Sequence, residues 1–392
     1  MSVLFSPHPN TWEAFKYHWL LWKWCGLQPP SRDSKWFRPY LAYAIIFNLT
    51  TILFPLSLVL DLTLSQNLTE IFQNLYVTVT VVFSSLKFVN VFLIRRKLLE
   101  VRFLLERLDV RANTEEQQQE LKNGIAMAHK CFMIFLRLYV CAITTSQLVV
   151  YFSSERVLMY PSWLPWDWRE SKRYFLFAIC FQIYAVSAQL SQNLGNDTYP
   201  QAYIVILIAH IRALALRIKH LGVVSTSVPA PEGKLSQEDF YRELRQCVKD
   251  HEHVHELYLT IQECLSTTCL AQFIATGLAQ CIIGVYILYV GDDFSRLLNS
   301  LVFFGAVTIE ILVLCYFGDL YCQANEFLID AIYATNWMDR DGRFKKALLL
   351  VLQRAQVTNC LKAGNLTPVM LPTFVTIMKT AYSVFTVLNK VN

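Results

Sequence analysis

The stretch NLTPVMLPTFVTIMKTAYSVFTVL, residues Asn365–Leu388, decides how the chain is organised. It has the length of a membrane-spanning helix, since a span takes roughly 20 mostly apolar residues. Polar residues in and just after it recur every three or four positions: Thr376, Lys379, Ser383, Thr386 and Lys390. They share one helix face, and a polar face with a lysine is costly against lipid. Two interpretations stay open: a seam that contacts other helices or the wall of an ion-conducting pore.

The rest of the chain has the composition of a membrane protein. Hydrophobic residues make up 54% of the 392 residues, charged residues make up 17%, and the mean hydropathy is +0.34. Seven spans are predicted: Tyr40–Leu60, Ile71–Ile94, Cys131–Phe152, Tyr174–Leu194, Leu270–Val290, Leu297–Phe317 and Asn365–Leu388. The expected fold class is therefore an all-α membrane protein with seven transmembrane helices.

The distribution of Lys and Arg predicts how these spans are oriented. Of the 35 basic residues, 26 lie on one side of the predicted spans, 6 lie on the other side and 3 lie within spans. Because basic residues concentrate on the cytoplasmic side, the N-terminus is predicted to be cytoplasmic and the C-terminus extracellular. Two patterns agree with this orientation. Asn67-Leu68-Thr69 is a glycosylation sequon in a predicted outer loop, and none of the 11 cysteines falls in an outer loop.

Several stretches next to the spans have the pattern of helices that extend into the cytoplasm. They are Ala202–Ile218, the lead from about Leu235 into the fifth span, the second half of Leu297–Trp337, and Arg343–Leu361. Their apolar faces need partners, so we expect a platform of packed cytoplasmic helices that also suits assembly into an oligomer.

The chain accordingly divides into four predicted parts. Residues 1–38 form a cytoplasmic N-terminal segment, whose tryptophan-rich run Trp12–Cys25 is expected to lie along the membrane surface. Residues 39–334 contain six spans with their extensions, residues 335–364 a helix of the platform, and residues 365–392 the last span.

His251-Glu252-His253-Val254-His255 matches the HExxH pattern of zinc proteases, in which two histidines share a helix face. A membrane-embedded zinc metalloprotease is therefore one alternative function. The segment lies in a predicted cytoplasmic helix and no obvious third ligand follows it. An ordinary charged helix face is favoured, and neither a metal nor a cofactor is expected. The basic segments are interpreted as signals of membrane orientation, so no nucleic-acid partner is expected either.

The outer halves of spans two to six combine many aromatic residues with a few polar ones, as in cavities that bind small neutral ligands. The candidate ligand-binding residues are Phe72, Tyr76, Thr80, Phe83, Thr144, Gln147, Tyr151, Phe181, Tyr184 and Tyr286. Aromatic residues at helical spacing also occur for packing alone, and that interpretation stays open beside the first.

The C-terminal third of the chain resembles the insect odorant receptor family. The resemblance rests on Cys315-Tyr316-Phe317-Gly318, on Ala331-Ile332-Tyr333 with Trp337, and on the run KTAYSVF at Lys379–Phe385. It extends to the chain length, the number of spans and the tryptophan-rich second outer loop. The short loop between spans four and five departs from the co-receptor of that family, and Tyr382 is not followed by the Gln-Phe pair of gustatory relatives. The chain therefore resembles a ligand-tuning odorant receptor.

This resemblance implies an odorant-gated, non-selective cation channel subunit rather than an enzyme. It implies a heterotetramer with odorant receptor co-receptor subunits, in the plasma membrane of a sensory neuron dendrite, opened by a small volatile apolar odorant. The last helix of each subunit would line the pore, which gives as candidate pore residues Thr376, Lys379, Ala381, Ser383, Phe385 and Leu388. A G-protein-coupled chemoreceptor, with the opposite orientation, is the other alternative.

Overall fold

The computed structural model describes residues 8–65, 67–152, 156–221, 237–289, 294–357 and 360–391, apart from the side chains of Val149 and of residues 388–391. A short 3-10 helix, Thr11–Phe15, leads into nine described helices and one small hairpin. These are α1 (Lys16–Trp24), α2 (Phe37–Leu64), α3 (Leu68–Asp109), α4 (Glu115–Phe152), α5 (Lys172–Lys219), α6 (Gln237–Tyr289), α7 (Phe294–Tyr333), α8 (Gly342–Ala355), β1 (Lys362–Ala363), β2 (Thr367–Pro368) and α9 (Leu371–Val391).

Six of the described helices, α2 to α7, are long and apolar enough to cross a membrane. Five of them are much longer than the roughly 20 residues that a span needs, with α6 reaching 53 residues and α5 reaching 48. The expected continuation of the spans into long helical extensions is thus confirmed. Helix α9 has 21 residues and is not among those six, so a seventh crossing stays a prediction.

Helix α5 is the centre of the bundle and packs against α3, α4, α6 and α7. The predicted fourth span and the predicted extension Ala202–Ile218 are one continuous helix that passes through Pro200. A proline removes one helical hydrogen bond, but α5 is enclosed by its neighbours, with 83% of its most apolar window buried. Packing therefore outweighs the local preference for a break.

At one end of the bundle, α8, α1 and the ends of α3 to α7 form a large apolar core. We call this end the platform. The N-terminal segment belongs to it, because Phe15 stacks on Tyr203 with ring centroids 4.1 Å apart and Trp22 is buried. Thr11 donates hydrogen bonds to the Asp109 carboxylate through its backbone N–H and its hydroxyl. One side of the run Trp12–Cys25 thus packs against the bundle, while Leu20 and Trp24 are exposed. The predicted position of this run along the membrane surface stays a prediction.

The platform is also held together by a buried cluster of charges. Asp250 on α6 accepts hydrogen bonds from Arg111, which follows α3, and from Arg217 on α5. The Asp250 side chain is only 2% exposed, so both arginines serve a carboxylate that water hardly reaches. Removing one partner of such a cluster leaves an uncompensated buried charge.

The start of the last helix differs from the prediction. Instead of entering a helix at Asn365, the chain forms a hairpin in which Lys362 pairs with Pro368 and Ala363 pairs with Thr367. Gly364 and Asn365 both have positive φ angles, of 60° and 57°, which suit a tight turn and not a helix. Helix α8 likewise ends at Ala355, before the predicted end at Leu361.

The hairpin is fastened to α6 by hydrogen bonds. Gly364 N–H donates to the Ser266 carbonyl at 2.8 Å, and Gln262 bonds both the N–H and the carbonyl of Lys362. Because α9 begins three residues after the hairpin, its first turn is fixed relative to α6.

Candidate functional site

A cavity of about 90 Å³ lies inside the bundle between α2, α3, α4, α5, α6 and α7. Most of its wall is apolar and includes Phe54, Val77, Val81, Phe303 and Val307. Polar side chains line the remaining wall. A mostly apolar pocket with a few convergent polar groups is the usual form of a small-molecule site.

A network of buried polar side chains forms the floor of this cavity. Lys87 on α3 pairs with Asp197 on α5 and donates to Gln272 on α6 at 2.6 Å. Gln272 in turn donates to Glu310 on α7 at 3.0 Å. The Tyr139 hydroxyl on α4 lies within hydrogen-bond distance of both Asp197 and Glu310. The network therefore joins five helices at one point.

The charged side chains of this network are almost completely buried. The side chains of Lys87 and Asp197 are 4% and 2% exposed, and Glu310 is 7% exposed. A charge buried to this extent needs both an opposite charge and further hydrogen bonds. Tyr139 and Gln272 supply the further hydrogen bonds. The floor thus combines a structural tie between helices with a polar boundary for the cavity.

Of the sequence-predicted ligand residues, Thr80 lines the cavity directly. Tyr76 and Tyr286 are fully buried beside it, with ring centroids 5.6 Å apart, and Tyr76 also packs on Phe303, which lines the cavity wall. Phe72 and Phe181 are half-buried in the same part of the bundle, and Phe83 is half-buried on α3. These aromatic residues form the packing around the cavity rather than its surface.

The other predicted ligand residues face away from the cavity. Tyr151 is 81% exposed, Tyr184 is 47% exposed, and Thr144 and Gln147 are also exposed. On α4 the steps of three and four residues place Thr144, Gln147 and Tyr151 on one face. The opposite face carries the cavity-lining residues Tyr139 and Ala142, so the structure does not bring these predicted residues to the cavity.

Sequence reasoning missed most of the polar wall, although a signal was present. In α5 the polar residues Gln182, Gln189, Asn193 and Asp197 recur at intervals of seven, four and four, which places them on one helix face. Gln189 and Asn193 line the cavity, and Asp197 belongs to its floor. A polar stripe inside an apolar span marks a face that is turned toward protein.

Helix α9 has one packed face and one open face. Phe385 lies against α6, where a Cβ on Gly284 would come within 3.1 Å of its ring, and Ala381 is buried with its carbonyl accepting from Cys281 Sγ. The predicted pore residues Thr376, Lys379 and Ser383 lie on the opposite, exposed face.

The predicted pore residues therefore do not share one face of α9. Ala381 and Phe385 contact α6, whereas the polar residues remain uncovered in a single chain. The side chain of the sixth, Leu388, lies outside the described residues.

The HExxH segment lies on the platform part of α6. His251 and His255 line a groove together with Arg354. Burial and the nearby Arg354 lower the pKa of His251 to about 4, so its ring is neutral at physiological pH. Among the described residues, no group of three or more His, Cys, Asp or Glu side chains is arranged to hold a metal ion.

Comparison with known proteins finds relatives along the whole chain. A family model described as 7tm Odorant receptor matches residues 67–382. Odorant receptor 2a of Drosophila melanogaster is 37% identical over 386 residues, which cover 97% of each chain. Odorant receptor 19a of the same species is 32% identical over 379 residues, which cover 96% of each chain.

Solved structures share the fold. The insect olfactory receptor OR5 from Machilis hrabei has a TM-score of 0.78 at 14% identity, covering 96% of this chain and 98% of OR5. The same receptor in complex with eugenol has a TM-score of 0.80 at 13% identity, covering 98% of this chain and 100% of OR5. The relatives indicate a receptor family and not an enzyme family. By its family match and by its likeness to the Drosophila receptors over nearly its full length, the chain belongs to the insect odorant receptor family.

Proposed function

We propose that the chain is a ligand-tuning subunit of an odorant-gated, non-selective cation channel, which it forms as a heterotetramer with odorant receptor co-receptor subunits. The observation that carries this proposal is that the same two helices, α6 and α7, line the cavity and contact α9. Helices α6 and α7 contribute Gln272, Thr276, Phe303 and Glu310 to the cavity, and α9 packs on both helices. A change in the cavity therefore has a direct route to α9.

The ligand is a small volatile molecule of mainly apolar character, in keeping with the apolar wall. A cavity of about 90 Å³ is smaller than the roughly 150 Å³ engineered cavity that holds benzene. An odorant therefore fits best when the surrounding helices move apart. A ligand that binds this expanded arrangement more tightly shifts the population toward it, and the displacement of α6 and α7 reaches α9.

The open face of α9 borders the pore. Thr376, Lys379 and Ser383 are exposed in the single chain, and a lysine on such a face is costly against lipid. Assembly with co-receptor subunits gives this face an aqueous surrounding that cations can cross. Ala381 and Phe385 then set the position of α9 on α6, and Leu388 stays a candidate for the pore constriction.

The subunit lies in the plasma membrane of the sensory neuron dendrite with the N-terminus and the platform in the cytoplasm and the C-terminus outside. The excess of basic residues on the platform side supports this orientation. Asn67 then lies in an outer loop, where it is exposed and accepts a hydrogen bond from the Thr69 N–H through its side-chain oxygen. Its amide nitrogen is the atom that a glycan would modify.

The test is current recording from cells that express the chain with and without the co-receptor, across a panel of volatile compounds. We expect ligand-evoked cation currents only when both are present. Phe303→Ala removes part of the cavity wall and so enlarges the cavity. It should change the ligand concentration that gives half-maximal current. Tyr151→Ala, on the exposed face of α4, is the matched control and should not. Currents that are unchanged in Phe303→Ala but altered in Tyr151→Ala would contradict the assignment of the cavity as the ligand site.

A further inference from the structure

Two deeply buried side chains on the cavity wall hold a polar atom with no hydrogen-bond partner among the described residues. They are Ser84 on α3, with Oγ unpartnered, and Gln189 on α5, with Oε1 unpartnered. Ser84 is 1% exposed and Gln189 is 4% exposed. Buried polar atoms are nearly always paired, and both of these lie where a partner can enter from the cavity.

The orientation of the Gln189 amide follows from its neighbours. Its nitrogen lies 3.2 Å from the Val81 carbonyl oxygen and 3.3 Å from Ser85 Oγ. A backbone carbonyl can only accept a hydrogen bond, so the NH₂ group must face Val81. The side-chain oxygen is consequently the free atom, and it is an acceptor.

Asn193, one helical turn further along α5, repeats this arrangement. Its nitrogen donates to the Tyr139 hydroxyl at 3.0 Å. The single hydrogen of that hydroxyl is engaged by Asp197 and Glu310, so the Tyr139 oxygen is available only as an acceptor. The Asn193 oxygen is then also a free acceptor on the cavity side, unpartnered among the described residues.

Three other hydroxyl groups on the wall already have hydrogen-bond partners, among them Thr276 Oγ1, which accepts from Gln272 Nε2 at 3.3 Å. Thr80 Oγ1 donates to the carbonyls of Tyr76 and Val77, and the Tyr160 hydroxyl bonds Ser146 Oγ at 2.7 Å. In the described part of the cavity wall, the buried side-chain atoms without a partner are two acceptors a turn apart on α5 and one serine hydroxyl on α3. Their complement is a molecule that donates a hydrogen bond and can also accept one.

We propose that Ser84, Gln189 and Asn193 form a subsite that selects odorants carrying a hydroxyl group, the class of alcohols and phenols. This proposal rests on the proposed role of the cavity as the ligand site. A hydroxyl donates to an amide oxygen and accepts from Ser84 Oγ, whereas an ether oxygen can only accept. The ether therefore cannot donate to either amide oxygen.

Isomeric probes isolate this difference. Benzyl alcohol is compared with anisole, and 1-hexanol with methyl pentyl ether, on cells that express the full chain with the co-receptor. The alcohol of each pair should need about threefold to tenfold less compound for half-maximal current, the fold-change that one neutral hydrogen bond contributes. The wild-type response to the ether reports intact folding and gating.

Variants assign the effect to the subsite. Gln189→Leu should reduce the advantage of the alcohol and leave the response to the ether in place, because only the alcohol can donate to the Gln189 oxygen. Ser84→Ala removes a donor that the alcohol and the ether can both use, so it should weaken both responses and keep their ratio. Thr80→Val is the matched control, because it removes a cavity-lining hydroxyl that already has partners, and it should keep the full preference for the alcohol. A loss of preference in Thr80→Val that equals the loss in Gln189→Leu would overturn the assignment.

The outcomes separate this proposal from the proposed function. Strong currents with equal potency for both members of each pair overturn the subsite and leave the channel role standing. Where none of the four probes evokes current, the melting temperature of the purified full-length receptor decides the same comparison. A larger rise with the alcohols supports the subsite, and equal rises or none overturn it. A chain that reaches the surface with the co-receptor and answers no volatile compound overturns the proposed function itself.

Discussion

Replacing Gly318 by alanine should uncouple the last helix from the rest of the bundle. Gly318 lies on α7, where the carbonyl of Val369 comes so close that an added Cβ would be 1.9 Å from its oxygen. Ordinary contact begins at 3.4 Å, so the backbone at Val369 has to retreat by 3.4 − 1.9 = 1.5 Å. Such overpacking costs about 1–3 kcal/mol.

The displacement cannot be absorbed locally. The N–H of Val369 donates to the Leu361 carbonyl at 2.8 Å, and Thr373 in the first turn of α9 donates to the Pro368 carbonyl at 2.7 Å. Moving Val369 by 1.5 Å therefore shifts the hairpin or the start of α9. We expect Gly318→Ala to reach the cell surface in reduced amount and to lose most of its ligand-evoked current per surface channel.

Gly305→Ala is the matched control on the same helix. A Cβ at Gly305 meets no described atom within 4 Å, and alanine is the better helix former by about 1 kcal/mol. Surface biotinylation and current recording should therefore show a loss for Gly318→Ala and no loss for Gly305→Ala. The reasoning fails if Gly318→Ala matches Gly305→Ala in both measurements.

Three further predictions concern the platform and the last helix. Asp250→Ala leaves Arg111 and Arg217 without their buried carboxylate and should cost about 3–5 kcal/mol, seen as loss of surface protein. Burial lowers the pKa of His18 to about 3, below the ordinary value of about 6.5 that it has in the unfolded chain. The unfolded chain therefore binds this proton more readily, and the folded state loses stability as the pH falls below about 6.5. Between pH 7.5 and 5.5 this should lower the free energy of unfolding by about 1 kcal/mol, and His18→Leu should reduce the accompanying fall in melting temperature. Lys379→Glu should raise cation permeability, measured as a shift in reversal potential, because the residue lies on the open face of α9.

Controls and contrary outcomes are available for each of these. Glu106→Gln breaks an exposed ion pair with Arg102 and should change surface protein little, so an equal loss would contradict the cluster argument. If the melting temperature of His18→Leu falls with pH as much as that of the wild type, the His18 ring is not the cause of the fall. Met378→Leu, at the half-buried neighbouring position of α9, controls for Lys379. Identical reversal potentials in all three proteins would take Lys379 out of the pore.

The six long apolar helices α2 to α7 were predictable because long apolar runs need no knowledge of their partners. The start of α9 was not, since Gly364 and Asn365 are a tight-turn pair that a count of apolar residues passes over. Nor does a proline at position 200 reveal that neighbouring helices will keep α5 continuous. Local patterns therefore located the helices but not every helix end.

The cavity was harder to predict because its residues are distant along the chain. Lys87 was recognisable as a buried cation, but its partner Asp197 is 110 positions away. On α4, Thr144 and Tyr151 were equally good candidates by composition, and only the packing shows that their face is turned outward. Which side of a helix faces inward depends on all of its neighbours together.

Helix α6 spans 53 residues, or about 80 Å, and along this one rod lie the cavity floor, the hairpin attachment and the seat of α9. Receptor pharmacology treats potency and efficacy as separate properties of a compound. Under the proposed function, α6 mediates both properties in this protein. A wall substitution that alters which compound is preferred should then also alter how fully that compound opens the channel.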